Sequence, residues 1–280
     1  MTFSLTDIGA KSHPSVHVAL DNGVLTIGLG HEGTDFLWTV SMIDCFCDIV
    51  QGLSGNESVR VLVIQSEGKD FCLGLDAQDF VLSSNSDRIR VHASIEKFQH
   101  CCQRGLQLLN QPVIAQVQGN CHAAGIRLLE GCDIVLADDH AQFVFDAKDS
   151  ELMSLSKSVM FEPQLQFMSK RAKTFYTFTH QIFDGREAAR TGLATLSFPG
   201  HVLRQETHSL ATLLSEKDRL ALQFTKETLA HVGAMSWDAS VNFTAAKFAE
   251  LKSRQSGEGS MRVSAVASFL AGQSKPGKGV

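Results

Sequence analysis

The 280-residue chain lacks several features that would assign it to a specialised class of protein. No apolar run approaches the roughly 20 residues that a helix needs to cross a bilayer, which predicts a protein without membrane spans. The formal net charge of −5 supplies neither a basic face for nucleic acid nor a polybasic patch for a membrane surface. The first residues resemble neither a signal peptide nor an Arg-rich transit peptide, and we therefore expect a cytoplasmic protein.

Cysteine and histidine are present, but not in the spacings that bind metals or pair into disulfides. The seven cysteines form no Cys-x-x-Cys motif, so we expect reduced, mostly buried thiols. The eleven histidines include no His-Glu-x-x-His or comparable spacing, which predicts that there is no metal site. Hydrophobic residues make up 44% and charged residues 20% of the chain, as in an ordinary globular protein.

Strand and helix patterns alternate in the first half of the sequence, and helical patterns alone follow. Two short β runs around Asp21-Asn22-Gly23 predict a hairpin over 16–29. Further strands are predicted at 59–65, 113–117, 134–137 and 141–145, and helices at 42–53, 87–110, 170–178, 186–191, 202–229, 237–254 and 261–271. This order predicts an α/β core over 14–200 and a helical region over 201–272, with flexible ends at 1–13 and 273–280.

The stretch 112–138 organises the rest of the chain. Its pattern predicts a buried strand, a turn of small residues, a helix and a second buried strand. The small residues Ala123, Ala124 and Gly125 begin the helix, where unpaired N–H groups and the positive end of the helix dipole favour negative charge. This turn is therefore a candidate site for an oxyanion.

Two segments together resemble the enoyl-CoA hydratase/isomerase (crotonase) superfamily. Residues 67–76, EGKDFCLGLD, are similar to its G-x-x-F-C/S-A-G-x-D turn, and 112–137 are similar to its P-V-I-A-x-V-x-G…G-G-G…C-D-I-x-x-A segment. Weaker similarities occur in the same order at 22–27, 184–193 and 220–226. The resemblance implies an α/β fold of repeated ββα units in a superhelix, with a helical C-terminal region that forms a homotrimer or a dimer of trimers.

The resemblance also implies a substrate and a site. The substrate would be an acyl thioester, with coenzyme A or pantetheine as part of it and no separate cofactor. The N–H groups of Leu75 and Ala124 would hold the thioester oxygen as it becomes an enolate oxygen. The substrate would lie against Leu73, Gly74, His122 and Gly125. Histidine side chains ordinarily titrate near neutral pH, so His122 is a candidate base, with a packed neutral histidine as the alternative.

The carrier of the acyl group stays open. Many members of the superfamily have Lys or Arg two residues after the motif Asp, near the phosphates of coenzyme A, whereas this chain has Gln78. The thioester could therefore be carried by the pantetheine arm of an acyl carrier protein.

Both usual catalytic glutamates of the hydratases are replaced, by Arg127 and Ala147. Hydration needs two positioned proton-handling groups, so simple enoyl-CoA hydration is not expected. Asp146 and Asp149 are candidate substitutes, and each is also a plausible solvated loop acid. Arg127 suits a substrate carboxylate or a pairing with Asp149, and the alternative is an Arg turned to the surface or paired structurally. Glu130, one turn on, is expected to be a structural partner.

Two functions are compatible with the loss of both hydratase glutamates. The first is an enzyme, of lyase or isomerase type, that forms an enolate without hydration chemistry, for example by decarboxylation of a malonyl-type thioester. The second is a catalytically inactive scaffold or helper subunit with the same fold.

Overall fold

The structure, a computed structural model, describes residues 12–76, 78–79, 85–145, 167–255, 267–268 and 270–271, with only the backbone described at 85–88. The chain divides into two compact units, Met1–Glu216 and Lys217–Val280. The sequence placed a division after residue 200.

The N-terminal hairpin pairs β1 (Val16–Asp21) with β2 (Val24–Leu29) in antiparallel fashion. Asn22 and Gly23 between them have φ values of 47° and 81°. Two successive positive φ values are those of a type I′ turn, whose twist matches that of the strands and which Asn-Gly favours. The predicted hairpin is confirmed.

Six strands form the large sheet in the order β1-β2-β3-β4-β6-β9. From β2 to β9 all neighbours are parallel. The central strand β4 is buried at every residue, as its apolar sequence predicted. The remaining strands of this sheet are β3 (Val61–Ser66), β4 (Val113–Val117), β6 (Ile134–Asp138) and β9 (Leu196–Phe198).

A second row of short extended segments lies beside the large sheet. It contains β5 (Asn120–Cys121), β7 (Gln142–Phe143) and β8 (Phe183–Asp184), and isolated bridges join Trp38 to Leu75 and Cys72 to Cys121. A long strand, a short extended segment and a helix follow one another three times, ending in α1 (Val40–Gly52), α2 (Asn85–His100) and α3 (Ala123–Leu129). The predicted α/β fold of repeated ββα units is confirmed.

Helix α2 continues directly into a π-helical turn, Cys101–Gly105, within the predicted helix 87–110. The later helices of the first unit are α4 (Lys170–Thr179), α5 (Gly185–Thr191) and α6 (Gly200–Ser215). Leu203 and Ala211 of α6 are buried in one cluster with Val63, Ile114 and Leu136 of the sheet. This packing places α6 in the first unit.

The single helix predicted over 202–229 is wrong. The structure has α6 and then α7 (Arg219–Val232), because the Asp218 side chain accepts a hydrogen bond from the Ala221 N–H at 2.8 Å and caps a new helix. The next predicted helix is confirmed as α8 (Trp237–Arg254). Most of the predicted helix 261–271 lies outside the described residues.

All seven cysteines are buried thiols without disulfides, as expected. Among the helices in the described part of the chain, none is both long and apolar enough to traverse a bilayer.

Candidate functional site

An extended segment, Cys72–Leu75, lies between two neighbouring stretches of backbone. On one side, the Leu73 N–H donates to the Phe36 carbonyl at 2.8 Å. On the other side, the Cys72 N–H donates to the Asn120 carbonyl at 3.0 Å, and the His122 N–H donates to the Cys72 carbonyl at 2.8 Å. The two segments that carry the sequence motifs are therefore neighbours in the second row of short extended segments, which we call the short row.

Gly74 changes the direction of the backbone within this segment. Its φ of 117° lies in the region that favours glycine. As a result, the N–H groups of both Leu73 and Asp76 point to the Phe36–Trp38 side, although regular strand alternation would send them to opposite sides. The Trp38 N–H donates to the Gly74 carbonyl, and the Asp76 N–H donates to the Trp38 carbonyl, each at 2.8 Å. Leu75 lies between these two bonds, so its own N–H is directed away from Trp38, toward the Asn120–His122 side.

Helix α3 begins on that same side. His122 is its extended N-cap, with φ −88° and ψ 178°, and Ala123 is its first helical residue. The N–H of Ala124 is therefore the second of the helix and has no intrahelical carbonyl behind it. Ala124 itself is buried. The start of α3 and the Leu75 N–H are thus both on the Asn120–His122 side of the Cys72–Leu75 segment.

Gly125 allows α3 to approach the Cys72 segment closely. A Cβ at this position would lie 2.8 Å from both the Cys121 Sγ and the Cys72 Cβ. Such contacts are closer than real Cβ atoms make, so the approach requires glycine. The motif glycine is a packing requirement of the site.

Three polar residues that sequence reasoning missed hold the two loops together. The buried Asp70 carboxylate accepts from the Asn120 backbone N–H at 2.8 Å and from its side-chain Nδ2 at 2.6 Å. The Gln118 Nε2 donates to the carbonyls of Ser66 at 2.9 Å and Gly68 at 3.0 Å. The available signal was an Asp directly before the apolar run Phe71-Cys72-Leu73 and a Gln-Gly-Asn break directly after a buried strand.

Arg127 lies one turn into α3 and is half-buried. Burial lowers the pKa of its guanidinium, while Glu130 and Cys102 act in the opposite direction. Arg127 is thus half-buried, with Glu130 and Cys102 among the groups that act on its charge. Its neighbour Glu130 is buried, and burial raises the pKa of its carboxyl to about 7, against the opposing charges of Arg127 and Lys173.

Most of the sequence matches a known protein family. The sequence model of the enoyl-CoA hydratase/isomerase family matches residues 37–265, well over half of the chain. The chain belongs to the enoyl-CoA hydratase/isomerase family. The family resemblance carried by the two motif segments is confirmed.

Two relatives of this enoyl-CoA hydratase/isomerase family member share about a quarter of its residues over most of its length. It is 23% identical over 239 residues to a hydroxycinnamoyl-CoA hydratase-lyase of Pseudomonas fluorescens, covering 83% of this chain and 84% of the relative. It is 25% identical over 218 residues to a peroxisomal Delta(3,5)-Delta(2,4)-dienoyl-CoA isomerase of Arabidopsis thaliana, covering 72% and 77%. The crystal structure of an enoyl-CoA hydratase of Mycobacterium smegmatis superposes with a TM-score of 0.75 at 20% identity, covering 93% and 98% of the two chains, and shows the same fold.

The structure brings most of the predicted site residues together. Those on the two adjacent loops and the start of α3 are Leu73, Gly74, Leu75, His122, Ala124 and Gly125. Arg127 follows on the same helix. Asp146, Ala147 and Asp149 lie outside the described residues, so their predicted roles stay predictions.

A groove of about 420 Å³ between α4 and α5 contains none of these residues. Its polar groups bond to one another: the Tyr176 hydroxyl donates to Glu187 Oε1 at 2.8 Å, and Arg190 Nη2 donates to the same oxygen at 2.6 Å. These contacts make the groove a poorer candidate than the two loops.

Proposed function

We propose that this protein binds an acyl thioester and stabilises its enolate oxygen between the N–H groups of Leu75 and Ala124. The supporting observation is the pair of backbone hydrogen bonds that join Cys72 to Asn120 and His122, because they make the segment that carries Leu75 a neighbour of the residues that lead into α3. Each well-placed donor of this kind typically lowers the barrier by about 3–4 kcal/mol.

The reaction that we propose is the decarboxylation of a malonyl-type thioester, with isomerisation as the other non-hydratase reaction. In decarboxylation the bond between the α-carbon and the carboxylate breaks, carbon dioxide leaves, and the electron pair passes to the enolate oxygen at the two N–H groups. A proton from water then adds to the α-carbon and gives the decarboxylated acyl thioester. This reaction needs little proton chemistry, and Arg127 supplies a cation for the carboxylate. Two relatives are named as a hydratase-lyase and an isomerase, so chemistry beyond hydration occurs in the family.

The decisive test replaces the donor itself. Ala124→Pro removes the proposed N–H, and we expect it to abolish acyl-thioester turnover. Ala123→Pro is the matched control, because the first helical position tolerates proline best and its extended predecessor His122 is compatible with it. Both variants are first shown to fold by thermal melting. Equal turnover in the two variants would contradict the proposed hole.

The replacement of a hydratase glutamate by Arg127 also supports the alternative, a non-catalytic scaffold or helper subunit. Thermal stabilisation by panels of acyl-CoA and acyl-pantetheine ligands separates the two functions. A ligand at 100 times its Kd should add about 2.7 kcal/mol to the free energy of unfolding. Stabilisation with turnover supports the enzyme, and stabilisation without turnover supports the scaffold. Preference for acyl-pantetheine would favour an acyl carrier protein as the donor.

We also propose that the protein forms a homotrimer or a dimer of trimers. No side chain of α8 is buried within the chain. Leu229 is 69% exposed and Trp237 80% exposed, and Phe248 is exposed as well. Contact with neighbouring subunits would cover these apolar side chains. A well-folded monomer in light scattering at micromolar concentration would contradict this assembly.

A further inference from the structure

A histidine fastens the segment that precedes β1. The Ser15 N–H donates to the His13 Nδ1 at 3.1 Å, and the His13 Nε2 lies 3.2 Å from the Ser41 Oγ at the start of α1. The His13 side chain is half-buried by these contacts. We call residues 12–15, held in this way, the N-terminal clasp.

The hydrogen bonds of His13 fix its protonation state. A ring nitrogen that accepts a hydrogen bond carries no proton, so Nδ1 is the unprotonated nitrogen. In the neutral ring the proton is then on Nε2, which donates to the Ser41 Oγ. A protonated ring has an N–H at both nitrogens and would set the Nδ1 N–H against the Ser15 N–H. The closed clasp is therefore compatible only with neutral His13.

The N-terminal clasp is connected to two elements of the core. At α1, the Ser41 Oγ lies 3.1 Å from the Thr39 Oγ1, which caps the helix by accepting from the Met42 N–H at 3.2 Å. After β2, the Gly30 N–H donates to the Ser15 carbonyl at 2.9 Å. The clasp thus joins the segment before β1 to the start of α1 and to the end of β2.

Titratable groups from three parts of the described chain surround His13. His31 follows β2, and a positive charge on it would act on His13. On β1, the His17 ring packs edge-on against the His31 ring, with 5.4 Å between the ring centroids. On α1, the Cys45 thiol forms a hydrogen bond with the His13 backbone, and the charge of Asp48 acts on that thiol. Burial raises the pKa of the Cys45 thiol, so this group stays neutral where histidines titrate.

We propose that the N-terminal clasp is a pH-sensitive device, in which protonation of His13 removes the acceptor of the Ser15 N–H and opens the clasp below neutral pH. Burial, together with the charge of His31, lowers the pKa of His13 from its ordinary value of 6.5. The stability of the closed clasp is therefore fully present above about pH 6.5 and is lost as the pH falls through the lowered pKa. None of these residues belongs to the candidate site, so the inference does not rest on the proposed function.

The experiment is hydrogen exchange of the full chain, followed by mass spectrometry at pH 5 and pH 7 and corrected for the intrinsic exchange rate at each pH. The reporting amides are those of Ser15, which donates to the His13 ring, and Val16, which donates to the His13 carbonyl at 3.1 Å. If His13 has its ordinary pKa in the open clasp, the protection of these amides falls roughly five- to 25-fold from pH 7 to pH 5. The amides of the buried strand β4 are the internal reference, because they report the opening of the core.

Two variants remove the titrating group in opposite ways. In His13→Asn the side-chain carbonyl can accept from the N–H two residues on, as in an Asx turn, and it does not titrate. His13→Ala has no acceptor, so it should show at both pH values the low protection that the parent approaches at pH 5. In each variant the protection should change less than twofold between pH 7 and pH 5. A fall as large as that of the parent in either variant would overturn the proposal.

A third variant separates His13 from its neighbour. His31→Asn keeps His13 and should retain the loss of protection, with a midpoint at higher pH because the neighbouring positive charge is gone. A loss of protection that disappears in His31→Asn would make His31 the titrating group and overturn the proposal. His92→Asn replaces an exposed histidine of α2 and is the control, which should behave as the parent does.

Discussion

The Asp70 carboxylate accepts two hydrogen bonds from Asn120, one from its backbone N–H at 2.8 Å and one from its side chain at 2.6 Å. Both bonds reach the same oxygen, Oδ1. They join the loop that carries Leu75 to the loop that precedes α3. The proposed oxyanion hole therefore depends on a contact that lies outside it.

Replacing Asp70 should destabilise the protein and weaken the binding of acyl thioesters. Asp70→Ala leaves two donors of the half-buried Asn120 without an acceptor, at a cost of up to about 3 kcal/mol in the free energy of unfolding. Asp35→Ala is the control, because its ion pair with Lys69 (3.1 Å) is exposed and should contribute less than about 1 kcal/mol. Urea denaturation measures both values. Similar losses in the two variants would show that the Asp70 contact is no stronger than a surface ion pair.

Adding one methyl group to Gly125 should separate α3 from the Cys72 segment. The new Cβ would meet Cys121 and Cys72 at 2.8 Å, and such overpacking costs about 1–3 kcal/mol. Gly233→Ala is the matched substitution, since nothing lies within 4 Å of its Cβ and its φ of −63° suits alanine. It should be neutral or stabilise by about 0.5 kcal/mol. Thermal unfolding compares the two, and a harmless Gly125→Ala would contradict the close approach.

Glu130 should make the stability fall as the pH rises. The pKa of its carboxyl is about 7 in the folded chain and 4.5 ordinarily, so between these values the folded state holds a proton that the unfolded state has lost. The free energy of unfolding then decreases by up to about 3 kcal/mol from about pH 4.5 to pH 7 and levels off above. Glu130→Gln should remove this component, so the difference between variant and parent grows with pH. A constant difference across the range would contradict the raised pKa.

The break between α6 and α7 should depend on the Asp218 cap. Asp218→Ala removes the acceptor of the Ala221 N–H and should cost about 1 kcal/mol. Asp218→Asn keeps a good N-cap and should retain most of the stability. Thermal melts followed by circular dichroism measure the loss, and equal melting temperatures for Ala and Asn would argue against the cap.

The sequence predicted those elements of the fold whose conformation depends on residues close together in the chain. The Asn22-Gly23 turn, the apolar run of β4 and the amphipathic pattern of α8 each contain their own signal, and all three are confirmed. The break at Asp218 was missed because apolar periodicity continues through it and one side chain decides it. A pattern averaged over several turns does not detect a single cap.

The candidate site was predictable only in part, for a related reason. The motifs identified the backbone of Leu75 and Ala124. Asp70 was missed, and the burial of Glu130, which was expected only as a structural partner, was not predicted, because an acidic residue is ordinarily solvated. Their burial arises from segments that are distant in sequence, namely the Gln118–Asn120 loop for Asp70, and the π-helical turn and α4 for Glu130.

The Asp70–Asn120 contact also has a consequence for the order of folding. It joins residues 50 positions apart, and closing a loop of that length costs roughly 3 kcal/mol of chain entropy before any contact compensates. The hairpin and individual helices need no such closure, so we expect them to form earlier than the site. In pulsed hydrogen exchange during refolding, the Asn120 amide should acquire protection after the amides of β1 and β2. A newly made chain would then acquire the candidate site only after its first repeats have docked.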